Sequence, residues 1–167
     1  VMAEPHGKTY YWESKTVELP DGKLLAVAWA YDALAEKDRP NQYALSEDGG
    51  ETWTSPRSTG LAGQTLTPIV LDHGRFLCVY RRIDVPGLWA ALAHFDGASW
   101  ITEQQLPLWG SEARGLTGSS ENMSQNFAVL RFGAPSLVRL PDGTILAAFW
   151  CYEDCVSVIR WFRLSIV

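Results

Sequence analysis

Three stretches of this chain follow one plan, and that repetition restricts the fold more than any composition figure does. Thr16-Val17-Glu18-Leu19-Pro20-Asp21-Gly22 leads into the run Leu24 to Trp29, Pro68-Ile69-Val70-Leu71-Asp72-His73-Gly74 into Phe76 to Tyr80, and Ser136-Leu137-Val138-Arg139-Leu140-Pro141-Asp142-Gly143 into Ile145 to Trp150. Each reads as a strand, a glycine-ended turn and an almost wholly apolar strand. An unbroken apolar run bounded by turn signals is a strand covered on both faces. A third strand is predicted in each unit, from Gln42 to Ser46, Leu88 to Phe95 and Ser157 to Leu164. The turn glycines Gly22, Gly74 and Gly143 lie 52 and 69 residues apart, a supersecondary repeat with an insertion in its second interval.

A second feature sharpens the repeat. Ser46-Glu47-Asp48-Gly49-Gly50-Glu51-Thr52-Trp53 predicts a tight hairpin. Asp48 can accept from the backbone N–H groups that follow it, Gly49 and Gly50 supply positive φ, and Trp53 can fold back over the turn. Phe95-Asp96-Gly97-Ala98-Ser99-Trp100 keeps the Asp, Gly and Trp but lacks the Ser. The pattern Ser-x-Asp-x-Gly-x-x-Trp, with Ser46, Asp48, Gly50 and Trp53, resembles the structural Asp-box of sialidase (neuraminidase) β-propellers. Thr65 through Arg82 and Trp150-Cys151-Tyr152-Glu153 through Leu164 are similar to blades of the same superfamily. The resemblance implies an all-β fold of three consecutive four-stranded blades, an open half-ring like the C-terminal half of a six-bladed propeller. The blades are expected at about residues 11–62, 63–109 and 127–167, with 110–126 an inserted polar loop. Residues 1–10 are expected to supply a ring-closing outer strand, and a missing N-terminal half or a second copy of the chain would complete the ring.

Charge narrows the partners. With 19 acidic against 14 basic residues, a net charge of −5 and no basic run, neither nucleic acid nor an anionic membrane surface is expected as a partner. No stretch is apolar enough to span a bilayer as a helix, and the compartment is left open. Cys78, Cys151 and Cys155 show no zinc-type pairing, so no metal or cofactor is expected, and Cys78 and Cys151 read as small buried hydrophobes. Asn122-Met123-Ser124 is a glycosylation sequon by pattern.

The ends of the apolar strands carry the candidate chemistry. Ten residues beyond each turn glycine stands an acid: Asp32, Asp84 and Glu153. Tyr80, Arg81 and Arg82 lie on the same rim, with Trp29 and Trp150 at the positions matching Arg81, and Tyr152 beside Glu153. Arginine suits a carboxylate gripped by two parallel hydrogen bonds, and tryptophan suits a sugar face. Acids, arginines and aromatics together are what glycoside chemistry needs. The same residues also fit plainer roles: acids at strand ends, tryptophans in the core, and arginines in salt bridges with Asp84 or Glu153.

Members of the sialidase superfamily use an arginine triad, a Tyr nucleophile activated by a Glu, and an Asp acid/base. Tyr152-Glu153 resembles the Tyr-Glu of the family's last blade. The position of the nucleophilic Tyr reads Ala134-Pro135 here, and neither can attack. Two function classes follow. One is a sialidase-like exo-glycosidase relative acting on terminal sugars of a glycoconjugate substrate, with Glu153, Asp84 and Tyr152 catalytic and Arg81, Arg82, Tyr80, Asp32, Trp29 and Trp150 binding substrate. Tyr80 or Tyr152 would then replace the phenol. The other is a non-catalytic propeller that binds a glycan or a protein partner.

Overall fold

A computed structural model describes residues 2–4, 6–97, 99–112 and 130–166. The first sheet runs β1 (Thr9–Glu18), β2 (Leu24–Asp32), β3 (Lys37–Ser46) and the short β4 (Arg57–Ser58). The second holds β5 (Gly63–Val70), β6 (Arg75–Arg82), β7 (Gly87–Asp96) and β8 (Ser99–Trp109), and the third β9 (Phe132–Arg139), β10 (Ile145–Glu153) and β11 (Val156–Leu164). Every pairing is antiparallel, and each sheet follows chain order from the inside outward.

The sheets stack face to face. Leu25, Val27, Tyr43 and Leu45 of the first sheet pack on Phe76, Cys78, Tyr80, Ala91 and Ala93 of the second. Leu77, Val79, Leu88 and Ala90 on the other face of that sheet pack on Ile145, Phe149 and Cys151 of the third. The middle strand β6 is thus covered by a sheet on both sides, the reason its sequence is a continuous apolar run rather than an alternating one, while the second face of β2 carries the buried alanines Ala26, Ala28 and Ala30. Cys78 and Cys151 lie buried and unbridged in the two cores. The innermost strands β1, β5 and β9 stand side by side, so the sheets are arranged as blades of a partial β-propeller.

The repeated turns close alike. Leu19, Leu71 and Leu140 each donate a backbone N–H to the carbonyl of Lys23, Arg75 and Thr144, all at 2.8 Å. In the Ser46 to Trp53 hairpin the Ser46 hydroxyl donates to Asp48 Oδ1 (2.8 Å) and accepts from Gly50 N–H (2.9 Å). Thr52 N–H donates to Asp48 at 2.9 Å, and Trp53 Nε1 donates to the Gly50 carbonyl at 3.0 Å. Gly49 and Gly50 have φ of 74° and 97°. These bonds hold the Asp48 carboxyl below its usual range, chiefly through Thr52.

The structure departs from expectation in three places. Thr9 and Tyr10 open β1, the innermost strand of the first sheet, pairing with Asp32 and Tyr31 instead of forming an outer closing strand. The third sheet has three strands rather than four among the described residues. β3 begins at Lys37, five residues before the apolar pattern, because its polar first half is engaged by side chains of neighbouring strands. Most of the 110–126 loop, with the sequon at Asn122, lies outside the described residues.

Candidate functional site

The three inner strands break register at one height. The shift lies between Trp12 and Lys15 in β1, between Gln64 and Thr67 in β5, and opposite Ala148 and Trp150 in β9. At each break a non-glycine residue takes positive φ: Glu13 (51°), Thr65 (55°) and Ala134 (49°). A β-bulge re-aims the side chains around it, and a β-branched residue at positive φ persists only where its surroundings impose it. All three bulges open into one cavity of about 370 Å³, walled by Glu13 and Lys15 of β1, Thr65 and Thr67 of β5, and Ala134 to Leu137 of β9.

The cavity wall combines fixed and unsatisfied polar groups. Thr67 Oγ1 donates to the Pro135 carbonyl at 2.9 Å, tying the second sheet to the third. Thr65 Oγ1 is buried with no hydrogen-bond partner, a cost of about 1–3 kcal/mol. Glu13 and Lys15 bring opposite charges to the same wall. Among the described residues, no three His, Cys, Asp or Glu side chains converge as a metal site.

Behind the cavity a buried polar chain crosses all three blades. Trp29 Nε1 and Gln64 Nε2 donate to the two oxygens of Asp38, at 2.6 and 2.7 Å. Gln64 Oε1 accepts from Arg81 Nε at 2.8 Å, and Arg81 Nη1 donates to the Phe132 carbonyl at 3.2 Å. Arg81 is 2% exposed and donates these bonds to neutral acceptors, with its guanidinium 6.0 Å from the Trp29 ring. Burial lowers its pKa to about 10, opposed by the carboxylates of Glu13 and Asp38, so it stays a cation at neutral pH. Burial raises the Asp38 carboxyl, against the lowering effect of its Trp29 and Gln64 bonds.

Each rim acid is engaged by an arginine of its own sheet. Asp32 takes Arg39 Nε at 3.0 Å and the N–H groups of Leu34 and Ala35, and its pKa falls to about 2, first through Ala35 and then Arg39. Asp84 pairs with Arg82 at 2.7 and 2.9 Å, and Glu153 with Arg160 Nη2 at 2.7 Å and Trp109 Nε1 at 3.3 Å. Arg82 also lies over the Trp89 ring at 4.4 Å.

Tyr80 is a correction. It faces the core between the first two blades, fully buried, with its hydroxyl donating to Gln105 Oε1 at 2.7 Å and its pKa pushed by burial to about 12. Strand alternation explains this, since Tyr80 and Arg81 must point to opposite faces. Trp29 is buried as the donor to Asp38, Trp150 is half-buried beside Gly133, and Tyr152 is exposed, edge-on to Trp150 and near Arg131. Trp29 and Trp150 do match Arg81 in register, opposite Trp12, Gly133 and Gln64 respectively.

Glu13, Lys15, Thr65, Thr67, Asp38 and Gln64 were not singled out by sequence reasoning. A signal existed: Glu13, Thr65 and Ala134 each lie nine residues before a turn glycine. Their differing chemistry, acid, hydroxyl and methyl, hid it.

No family model matches the sequence, and no curated protein matches it. Solved structures do resemble the fold. A protein of unknown function from Dyadobacter fermentans superposes with a TM-score of 0.65 at 21% identity, over 95% of this chain and 38% of that one. An alpha-L-arabinofuranosidase from Lactobacillus brevis gives 0.58 at 14% identity over 96% and 55%, and a thermostable family-43 glycoside hydrolase 0.53 at 12% over 94% and 55%. The chain thus spans about two fifths to about half of these proteins. At such identities the likeness carries the fold: this is an all-β partial propeller, of a kind that glycoside hydrolases also use.

Proposed function

We propose that this chain is part of a carbohydrate-active propeller, a sialidase-like exo-glycosidase relative that takes the terminal sugar of a glycoconjugate into the cavity between its inner strands. The observation that carries this reading is the convergence of Glu13, Lys15, Thr65 and Thr67 on a cavity large enough for one sugar ring. The place that the nucleophilic Tyr takes in the resembled family reads Ala134-Pro135 in this chain, neither able to attack, and those two residues are on the cavity wall. The glycoside hydrolases among the similar structures support the class, though not the sugar.

In this reading Glu13 is the carboxyl that exchanges a proton with the glycosidic oxygen, Thr65 and Lys15 hold ring hydroxyls, and Arg81 steadies negative charge from behind. Glycoside hydrolysis ordinarily needs a second carboxyl or another nucleophile. Asp32, Asp84 and Glu153 are each engaged by an arginine, which favours a second reading, a glycan-binding propeller without turnover. Calorimetry with a panel of methyl glycosides, paired with an assay for released sugar, separates them. Binding and release, both weakened by Glu13→Gln, support the hydrolase; binding without release supports the lectin-like reading; neither refutes both.

A further inference from the structure

In each blade one cross-strand pair stands immediately ahead of the bulge: Trp12 with Trp29 in the first, Gln64 with Arg81 in the second, and Gly133 with Trp150 in the third. The buried polar chain is assembled from these pairs. Trp29 meets Trp12 edge-on, with ring centroids 5.0 Å apart, one residue from Glu13. Gln64 is itself the neighbour of Thr65. Arg81 reaches the third blade, where its Nη1 donates to the Phe132 carbonyl and fills the space beside Gly133, next to Ala134. The chain therefore touches all three inner strands just ahead of their bulges.

Asp38 is the member that belongs to none of these pairs. It lies on β3 and joins the first pair to the second, accepting from Trp29 Nε1 at 2.6 Å and from Gln64 Nε2 at 2.7 Å. Counting donors explains why this position carries a carboxylate. The chain ends in a donor on both sides, the Trp29 indole N–H and the Arg81 Nε–H, and neither group can accept. Between two donors, links made only of amides always leave one N–H facing another. One carboxylate, accepting at both oxygens, closes the chain, and a second would set acceptor against acceptor. Asp38 also fixes the sense of the Gln64 amide, whose Nε2 faces the carboxylate and whose Oε1 is thereby turned to Arg81 Nε at 2.8 Å. With Nε held by Gln64 on β5 and Nη1 by Phe132 on β9, the planar guanidinium sets the spacing of those two inner strands.

We propose that Asp38 is a positioning residue of the cavity: acting through Gln64 it aims Arg81 across the junction of the second and third blades, and so holds the bulges at Thr65 and Ala134 on one wall with Glu13. Asp38 is not among the residues that line the cavity, so it acts on a ligand only through that wall. The inference rests on the carbohydrate reading only for the choice of a sugar as the ligand.

The test moves the carboxylate one link along. Asp38→Asn leaves two donors face to face, Gln64→Glu leaves two acceptors, and the double variant restores a chain with one carboxylate, now at position 64. Two readouts are taken on the folded chain at neutral pH. One is the backbone amide shifts of Thr65 and Ala134 by proton–nitrogen NMR; the other is the calorimetric affinity for the methyl glycoside that the unmodified chain binds best. Each single variant is expected to shift both amides and to weaken sugar binding about tenfold, the scale of one mispaired buried polar group. The double variant is expected to return both towards the native values. A double variant that merely adds the two losses overturns the proposal. So does an Asp38→Asn that lowers the unfolding midpoint while the Ala134 amide and the affinity stay unchanged, because Asp38 would then only stabilise the fold. If a single variant does not fold, the double variant decides: native amide shifts support the proposal, and an unfolded or shifted double variant overturns it. Should no glycoside bind the unmodified chain, the carbohydrate reading fails and the amide shifts alone decide this one.

Discussion

Residue 133 has no side chain because Arg81 fills the space one would take: a Cβ there would stand 2.2 Å from Arg81 Nη1. That contact joins the second blade to the third at the level of the cavity. Gly133→Ala is predicted to push the guanidinium off the Phe132 carbonyl and leave a buried cation short of an acceptor. A loss of about 1–3 kcal/mol should appear in urea unfolding. Gly63→Ala meets the Arg81 carbonyl and the Tyr80 ring at 2.5 Å each and should cost at least as much, since backbone cannot swing aside.

Thr65 stands on the cavity wall at φ 55°. Thr65→Gly relieves strain of about 1–3 kcal/mol, partly offset by the entropy of glycine, for a net gain of up to about 1 kcal/mol in thermal unfolding. The same variant should weaken sugar binding, while Thr65→Ser keeps it. A stabilised Thr65→Gly with unchanged sugar affinity would remove Thr65 from the site.

Tyr80→Phe distinguishes a core phenol from a reacting one. Removing the hydroxyl leaves Gln105 Oε1 without its donor at 2.7 Å and should cost about 1 kcal/mol in urea unfolding. Glycan binding and any sugar release should be unchanged.

Acid should unfold the protein in a defined window. Asp32 is held at about 2, and Asp48, Asp84, Asp142 and Glu153 are also lowered by their bonds. A carboxyl with a depressed folded pKa adds stability above its unfolded value, near about 4, and loses it as pH falls towards the folded one. The urea midpoint should therefore drop from about pH 5 towards about pH 2. Asp48→Asn should lower the midpoint at neutral pH and flatten that slope. Asp38 has the opposite sign: its raised carboxyl makes a charged Asp38 a growing liability as pH rises through its folded pKa.

Much of the arc was legible in the repeat. Glycine turns and apolar runs are local signals, and a strand covered on both faces has to be apolar throughout, so the middle strands and the turn at Asp48 could be read without coordinates. The rim acids were found by the same counting, but their partners were not. Asp32 with Arg39 and Glu153 with Arg160 are pairs across adjacent strands, whose meeting depends on register.

The sequence by itself determined the three-unit plan, the antiparallel hairpins and which strands are buried, because each follows from period and turn chemistry within about 30 residues. Only the tertiary structure decided where chemistry can occur. Glu13, Thr65 and Ala134 share one wall because three bulges fall at one height, and Asp38, Gln64 and Arg81 meet because neighbouring sheets bring them together. A bulge changes the direction of a side chain without requiring any particular residue, and packing between sheets joins positions far apart in the chain. Neither leaves a local pattern to read.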